Sequence, residues 1–326
     1  MKKAVKRILA LGLSAVLVGS VFAGCSAQQG KYTIGICQLT QHDALDAATQ
    51  GFMDTVKEKL GEENVEFNLQ NASNDSATCA TITNQFVADG VDLIMANATP
   101  ALQAAMASTG EIPIVATSIT DYGTALDKDD FSGTTGINVT GSSDLAPLAE
   151  QAAMVKELCP NAKTVGILYC SAEPNSKYQA DVVQPELEAL GFDVKIFTCA
   201  DSNDIANATT QACSEVDAIY IPTDNTIANA ASAVDQIAGP AGIPVIAGEE
   251  GICEGCGVGT LSISYYDIGV KAGEMAVEIL QNGADPATME IEYATDLTKK
   301  YVPERATALG ITVPSDYVAI ETTDAE

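Results

Sequence analysis

The sequence predicts a two-lobed α/β protein in which each lobe is a doubly wound parallel sheet, and three observations carry that prediction. Short apolar runs alternate with helical patterns, the arrangement of successive βαβ units. The second half of the chain repeats strand patterns of the first. The 326 residues suffice for two domains of ordinary size.

Candidate strands, in chain order, are 32–37, 64–69, 92–96, 112–117, 134–138, 164–169, 192–198, 217–221, 243–247 and 258–263. Candidate helices between them are 43–60, 76–88, 99–108, 144–158, 176–190, 203–213 and 226–238. A last helix at 267–280 places Ile268, Ala272, Met275 and Ile279 on one stripe, the periodicity of a half-buried helix. The duplication is visible in three pairs of segments. Thr33-Ile34-Gly35-Ile36 recurs as Thr164-Val165-Gly166-Ile167, Val91-Asp92-Leu93-Ile94 as Val216-Asp217-Ala218-Ile219, and Ile112-Pro113-Ile114-Val115 as Ile243-Pro244-Val245-Ile246. Their common order implies two similar lobes joined by crossovers near 140 and 262. The expected division is 32–140 with 265–290 for the first lobe and 141–264 with 291–322 for the second.

The chain begins with Lys2, Lys3, Lys6 and Arg7, then the apolar run Ile8 to Val21, then Val21-Phe22-Ala23-Gly24-Cys25. A basic start, a short apolar run and small residues before a cut are the parts of a secretory signal. The cysteine at the cut resembles a bacterial lipobox, with Phe22 where leucine is usual. Residues 1–24 are therefore expected to be a lipoprotein signal peptide, Cys25 the lipidated residue and 25–31 a linker. Cleavage removes four positive charges and no acid, so the net charge moves from −28 to −32. Such a polyanion repels phosphates and excludes nucleic acid as a partner. Eight further cysteines remain, at 37, 79, 159, 170, 199, 213, 253 and 256. Several lie in apolar strand-like runs, where a thiol behaves as a small hydrophobe, so most are read as reduced core residues.

Enzyme readings find little support. His42 is the single histidine, too few for the familiar multi-histidine zinc sites. No Gly-x-Ser-x-Gly elbow, dinucleotide fingerprint or P-loop occurs. Cys253-x-x-Cys256, flanked by glycines and without a second pair nearby, reads as a turn. The chain is expected to have no catalytic residue, no metal and no cofactor, and to act as a monomer.

In open parallel sheets ligands bind beyond the carboxyl ends of the strands, so two facing lobes define a cleft. The residues after each strand are the candidates: Gln38, His42, Asn97, Thr99, Ser118, Thr120, Asp121 and Asn138 from the first half, and Glu173, Asn175, Ser176, Asp224, Asn225 and Glu249 from the second. The mature chain has one arginine, Arg305, in the C-terminal tail, so a guanidinium clamp on a ligand carboxylate is not expected. Hydroxyls of Thr99, Ser118, Thr120 and Ser176, with helix N-terminal amides, would hold a carboxylate, and Asp224, Asp121 or Glu173 an ammonium. That pairing favours a zwitterion. The absence of tryptophan leaves Tyr122, Tyr169, Tyr265 and Tyr266 as candidate platforms for a ring.

The strand-end motifs resemble those of the tryptophan/tyrosine family of ABC-transporter substrate-binding proteins. The matching stretches are Gln38, His42-Asp43-Ala44-Leu45-Asp46, Gly51-Phe52, Ala98-Thr99-Pro100-Ala101, Thr120-Asp121 and Asn138-Val139-Thr140-Gly141-Ser142-Ser143-Asp144. They continue through Glu173-Pro174-Asn175-Ser176, Asp224-Asn225 and Ser264-Tyr265-Tyr266-Asp267-Ile268-Gly269, nearly the whole mature domain. The family's usual His-Pro is His42-Asp43 here. The resemblance implies a type I periplasmic-binding-protein fold with a hinge, an aromatic amino acid as small-molecule ligand, and an ABC permease with its ATPase as partners, outside the cytoplasm and held to the membrane by the lipid anchor. A ligand-binding sensor, or the same transport role for a sugar or nucleoside, are the alternatives.

Overall fold

A computed structural model describes residues 31–320. The expected signal peptide, Cys25 and most of the linker, together with residues 321–326, lie outside the described residues. Two sheets organise the chain. In the first half, strands β1 (Tyr32–Gln38), β2 (Val65–Asn71), β3 (Leu93–Asn97), β4 (Ile114–Ile119) and β5 (Val139–Ser143) alternate with helices α1 (Asp43–Leu60), α2 (Ser76–Asp89), α3 (Thr99–Ser108) and α4 (Tyr122–Leu126). The second half carries α5 (Leu148–Leu158), β6 (Thr164–Cys170), α6 (Pro174–Ala189), β7 (Asp193–Cys199), α7 (Ile205–Glu215), β8 (Ala218–Ile221), α8 (Asn225–Ala228), α9 (Ala231–Ala241), β9 (Val245–Ala247), α10 (Glu250–Cys256) and β10 (Gly259–Ile263). The chain then returns through α11 (Tyr265–Asn282) and ends with β11 (Glu292–Tyr293), β12 (Leu297–Tyr301), α12 (Pro303–Ala308) and β13 (Val318–Ala319).

The sheet orders are β11-β5-β4-β3-β1-β2 and β13-β12-β10-β9-β8-β6-β7. Their cores, 2-1-3-4-5 and 7-6-8-9-10, are the same winding, and the duplicated segments fall on equivalent strands: β1 with β6, β3 with β8, β4 with β9. Every pairing within these two cores is parallel; β12 joins β10 antiparallel. Central strands β3, β4 and β8 are buried at every position, which is why 93–96, 114–116 and 218–221 read as apolar runs, with polar residues entering β3 and β4 only toward their carboxyl ends. Three segments cross between the sheets, at 143–148, 263–265 and 293–297.

The strand expected at 134–138 lies instead at Val139–Ser143, a correction with a physical cause. Gly133 and Gly136 adopt positive φ, and only Thr134 pairs, in an isolated bridge to Glu290. The true strand reads Val-Thr-Gly-Ser-Ser, polar in composition yet wholly buried, because its hydroxyls find partners: Ser142 Oγ lies 2.9 Å from Thr117 Oγ1 and donates to the Ile268 carbonyl at 2.8 Å. The helix expected at 226–238 is split: Asp224 caps a short α8 that ends at Ala228, and Ala230 (φ −136°, ψ 27°) leaves helical geometry before α9 begins.

Helices α1 and α11 run against each other at backbone contact. A Cβ on Gly51 would sit 2.2 Å from the Tyr266 carbonyl oxygen, and one on Gly269 2.1 Å from that of Ala48. This approach fixes the start of α1, at His42, against the start of α11, at Tyr265.

Candidate ligand-binding cleft

Both sheets deliver their strand carboxyl ends to the same cleft. On the first lobe, Gln38 is held by its own neighbourhood: its amide donates to the Thr40 carbonyl (2.8 Å) and Asp46 Oδ1 (2.5 Å) and its oxygen accepts from Thr49 Oγ1 (2.6 Å). Asn97 donates to the Leu45 carbonyl (2.8 Å) and Thr49 Oγ1 (2.9 Å), which aligns its amide and leaves Oδ1 without a partner. The next residue, Ala98, has φ 84° and ψ 157°, a region that is almost exclusively glycine's and costs about 1–3 kcal/mol. It opens α3 without a side-chain cap and sets Thr99, buried, on the first turn. Ser118, also at positive φ (56°), sits where β4 loses register with β5, and its buried Oγ has no partner. Thr120 is buried beside Asp144, and Asp121 caps α4 by accepting from Thr124 N at 2.6 Å.

On the second lobe Glu173 organises the loops. Its carboxylate accepts from the Asn225 and Thr226 backbone amides (3.1 and 2.7 Å), the Asn225 and Asn175 side-chain amides (2.8 and 3.0 Å) and the Thr226 hydroxyl (2.7 Å). Asp224 accepts from Cys170 N (2.6 Å) and Ile227 N (2.9 Å), and Glu249 caps α10 through Gly251 N (2.7 Å) and Ile252 N (2.5 Å). Ser176 Oγ donates to the Thr223 carbonyl at 3.4 Å, and Asn175 Oδ1 is left unpartnered. Burial pushes the carboxyls of Asp224 and Glu249 above the ordinary range, the Glu173 charge adding to the first while His42 opposes the second.

The lobes touch at the rim: His42 Nε2 lies 3.2 Å from Asn225 Oδ1, and Asn74 Nδ2 donates to Thr226 Oγ1 at 3.0 Å. Thirteen of the fourteen residues chosen from the sequence thus lie at the strand carboxyl ends, on the loops that follow or on the first turn of the next helix. The exception is Asn138, which precedes β5 at the far end of its sheet, its amide donating to the Thr109 and Ile112 carbonyls (3.3 and 2.7 Å); it leaves the candidate set. Among the tyrosines, Tyr122 is core, stacked on Phe131, Tyr169 is buried, and Tyr266 bonds Asp54 on the outer face. A recess of about 640 Å³ at the other rim places Tyr178 and Tyr293 beside Asp121 and Phe131.

Four buried side-chain atoms at this cleft lack hydrogen-bond partners: Asn97 Oδ1, Ser118 Oγ, Asp144 Oδ1 and Asn175 Oδ1, on residues none of which is more than 4% exposed. Such orphans are rare in folded proteins and call for an explanation. A fifth, Thr260 Oγ1, lies within β10. The sequence alone gives Asp144 no role: with β5 expected five residues too early, it reads as the start of a helix, whereas it directly follows a strand. Three of the four cleft atoms only accept, so the group they face must donate.

Comparison with known proteins agrees with this fold. The sequence profile of the family described as ABC transporter substrate binding protein matches residues 33–324. A tyrosine-binding protein of Clostridioides difficile is 34% identical over 297 residues, 85% of this chain and 84% of that one. The ABC domain from Streptococcus pneumonia in complex with L-Trp is 34% identical, with TM-score 0.84 over 88% of this chain and 97% of that one. A ligand-free, open structure of a Clostridium difficile substrate binding protein with adhesive properties, also 34% identical, gives TM-score 0.69 over 90% and 100%. At equal identity the lower score belongs to the open form, as expected if this chain's lobes are set as in the occupied one. The chain belongs to the family of ABC transporter substrate-binding proteins, whose members work outside the cytoplasm and are not a family of enzymes.

Proposed function

We propose that this protein captures an aromatic amino acid between its lobes and hands it to an ABC permease driven by a cytoplasmic ATPase. The observation that carries the reading is the set of unpartnered, mostly acceptor oxygens at facing strand ends of both lobes, which suits a donor-rich head group. The ligand carboxylate goes to Ser118 and Thr99 and to the free amides opening α3, where the helix dipole favours negative charge. Arg305 is remote from that role, since it caps the end of α10 through the carbonyls of Cys253, Glu254 and Gly255 and pairs with Asp235. The ring lies toward the tyrosine-lined rim. The names of the tyrosine-binding and tryptophan-bound relatives support the aromatic assignment.

The lobes rotate about the three crossover segments, hinge closure being a common response of two-lobed receptors. The protein acts as a monomer without turnover, with Cys25 carrying the acyl anchor that holds it at the membrane; among the described residues no helix is long and apolar enough to cross one. A thermal-shift screen of residues 26–326 against amino acids, sugars and nucleosides tests the reading. Ligand at 100 times its Kd stabilises by about 2.7 kcal/mol, so Trp, Tyr or Phe should raise Tm by several degrees. A shift with sugars or nucleosides alone would overturn the ligand while leaving the transport role.

A further inference from the structure

Resting on the reading of the ligand as an amino acid, the structure points to Asp144 as the residue that takes its amino group; we propose that Asp144 Oδ1 binds the ligand ammonium, with Tyr265 as the positioning residue that aims it. The other cleft acids are already engaged. Both oxygens of Asp224 and both of Glu249 accept backbone amides, Glu173 accepts five hydrogen bonds, and Asp121 caps α4. Asp144 differs. Its Oδ2 accepts from the Tyr265 hydroxyl at 3.0 Å, and its Oδ1 is buried with no partner. A carboxylate taken out of water with one oxygen unsatisfied is costly unless a cation completes it.

Placement strengthens the assignment. Asp144 directly follows β5 and Tyr265 opens α11, so each stands at a crossover between lobes. Around them lie the Thr120 hydroxyl from the first lobe and Thr223 and Glu249 from the second. His42 faces both Asp144 and Glu249, a single imidazole against two buried carboxyls. Burial is the main influence on the Asp144 carboxyl and raises it above the ordinary carboxylate range, the state an arriving ammonium would reverse. Because Tyr265 touches groups of both lobes, recognition of the amino group is tied to the closed arrangement.

The test pairs a change in the protein with a change in the ligand. Affinities of the mature wild-type chain, Asp144→Asn and Tyr265→Phe are measured by calorimetry for phenylalanine, tyrosine and tryptophan, for their des-amino counterparts (3-arylpropionates), and for a panel of non-aromatic amino acids. Wild type should prefer each amino acid over its des-amino partner by at least ~10-fold, since pairing a buried charge is worth several kcal/mol. Asp144→Asn should erase that preference while leaving the des-amino acid within about 2-fold, and Tyr265→Phe, which keeps the ring in place, should reduce it by roughly 3-fold. Equal losses for both ligand series would make Asp144 merely structural and overturn the proposal. Erasure of the preference with a non-aromatic amino acid as the best ligand would uphold Asp144 and remove the aromatic assignment. A best ligand lacking any cationic nitrogen would sink both.

Discussion

At the scale of single residues, the unliganded site is held in a state its acids resist. Burial raises the carboxyls of Asp144, Asp224 and Glu249. For an acid the sign follows from which state ionises first: the unfolded chain gives up its proton at the ordinary carboxylate pKa, the folded one only at higher pH. Each such group therefore contributes stability in full below the ordinary range, and loses it as pH rises through the raised value. Exposed Asp75, Asp217 and Asp316 have lowered values and act in the opposite sense, so the bulk pH profile mixes the two. The Asp144→Asn variant separates them. Without ligand, its Tm should exceed that of wild type near pH 7, and the difference should shrink as pH falls through the ordinary carboxylate pKa of about 3.9, below which folded and unfolded chains both hold the proton. A difference constant with pH would show that the Asp144 charge carries no such cost. At this scale the neighbourhood was legible: Asn97 ends β3, Ser118 lies near the end of β4 and Asn175 sits on the first turn of α6 after β6, so chain position alone marked them as candidates. What could not be read was which polar atoms remain unpaired, because that depends on partners such as Thr49 and Leu45 that reach Asn97 only after folding. For the same reason Glu173 and Asp224 looked like ligand-binding acids, whereas the fold sets their oxygens on the amides that open α8 and end β6.

Among the elements, α1 and α11 carry the geometry of the site, and two glycines permit it. At Gly269 the added methyl of alanine meets the Ala48 carbonyl, backbone that cannot swing aside. Alanine is favoured over glycine in a helix by about 1 kcal/mol, but forcing two packed helices apart costs about 1–3 kcal/mol or more, and the clash should win. Gly269→Ala should lower Tm by several degrees and weaken ligand binding, since Tyr265 lies one turn away. Gly239→Ala in α9 is the control: its methyl would find only Asp235 Oδ1, 3.8 Å away, so propensity acts alone and Tm should hold or rise slightly. Equal effects of the two substitutions on Tm would refute the packing argument. The long elements were readable because their signals are local and periodic, as at 43–60 and 99–108, whose bounds match α1 and α3. Strand β5 was not, since the Ser142 hydroxyl is made tolerable inside by Thr117 and the Ile268 carbonyl, partners 25 and 126 residues away in sequence. The short α4, α10 and α12 and the added strands β11–β13 at the sheet margins likewise depend on neighbours and not on pattern.

For the molecule as a whole, closure works against charge. Residues 31–143 with 265–294 carry a net −16, and residues 144–264 with 295–326 carry another −16. Bringing two such bodies together raises their mutual repulsion, which rim contacts such as the hydrogen bonds of His42 with Asn225 and Asn74 with Thr226 offset by only about 0.5–1.5 kcal/mol each. Ligand contacts must supply the remainder, so the unliganded chain should populate more open arrangements and the ligand should select the closed one. Two consequences can be measured together. Saturating ligand should reduce the radius of gyration in small-angle scattering. Raising ionic strength from about 0.01 to 0.15 M shortens the screening length from about 30 to 8 Å, which relieves repulsion between the lobes more than it weakens the buried head-group contacts. Affinity for a zwitterion of no net charge should then rise or hold with salt, the reverse of the weakening shown when long-range attraction steers a charged ligand. His42→Ala should leave the compact liganded state intact while lowering affinity severalfold, because it removes a contact made only on closure. A radius unchanged by ligand, together with affinity falling steeply as salt is added, would mean that binding does not proceed by closing the lobes and that long-range charge attraction drives it.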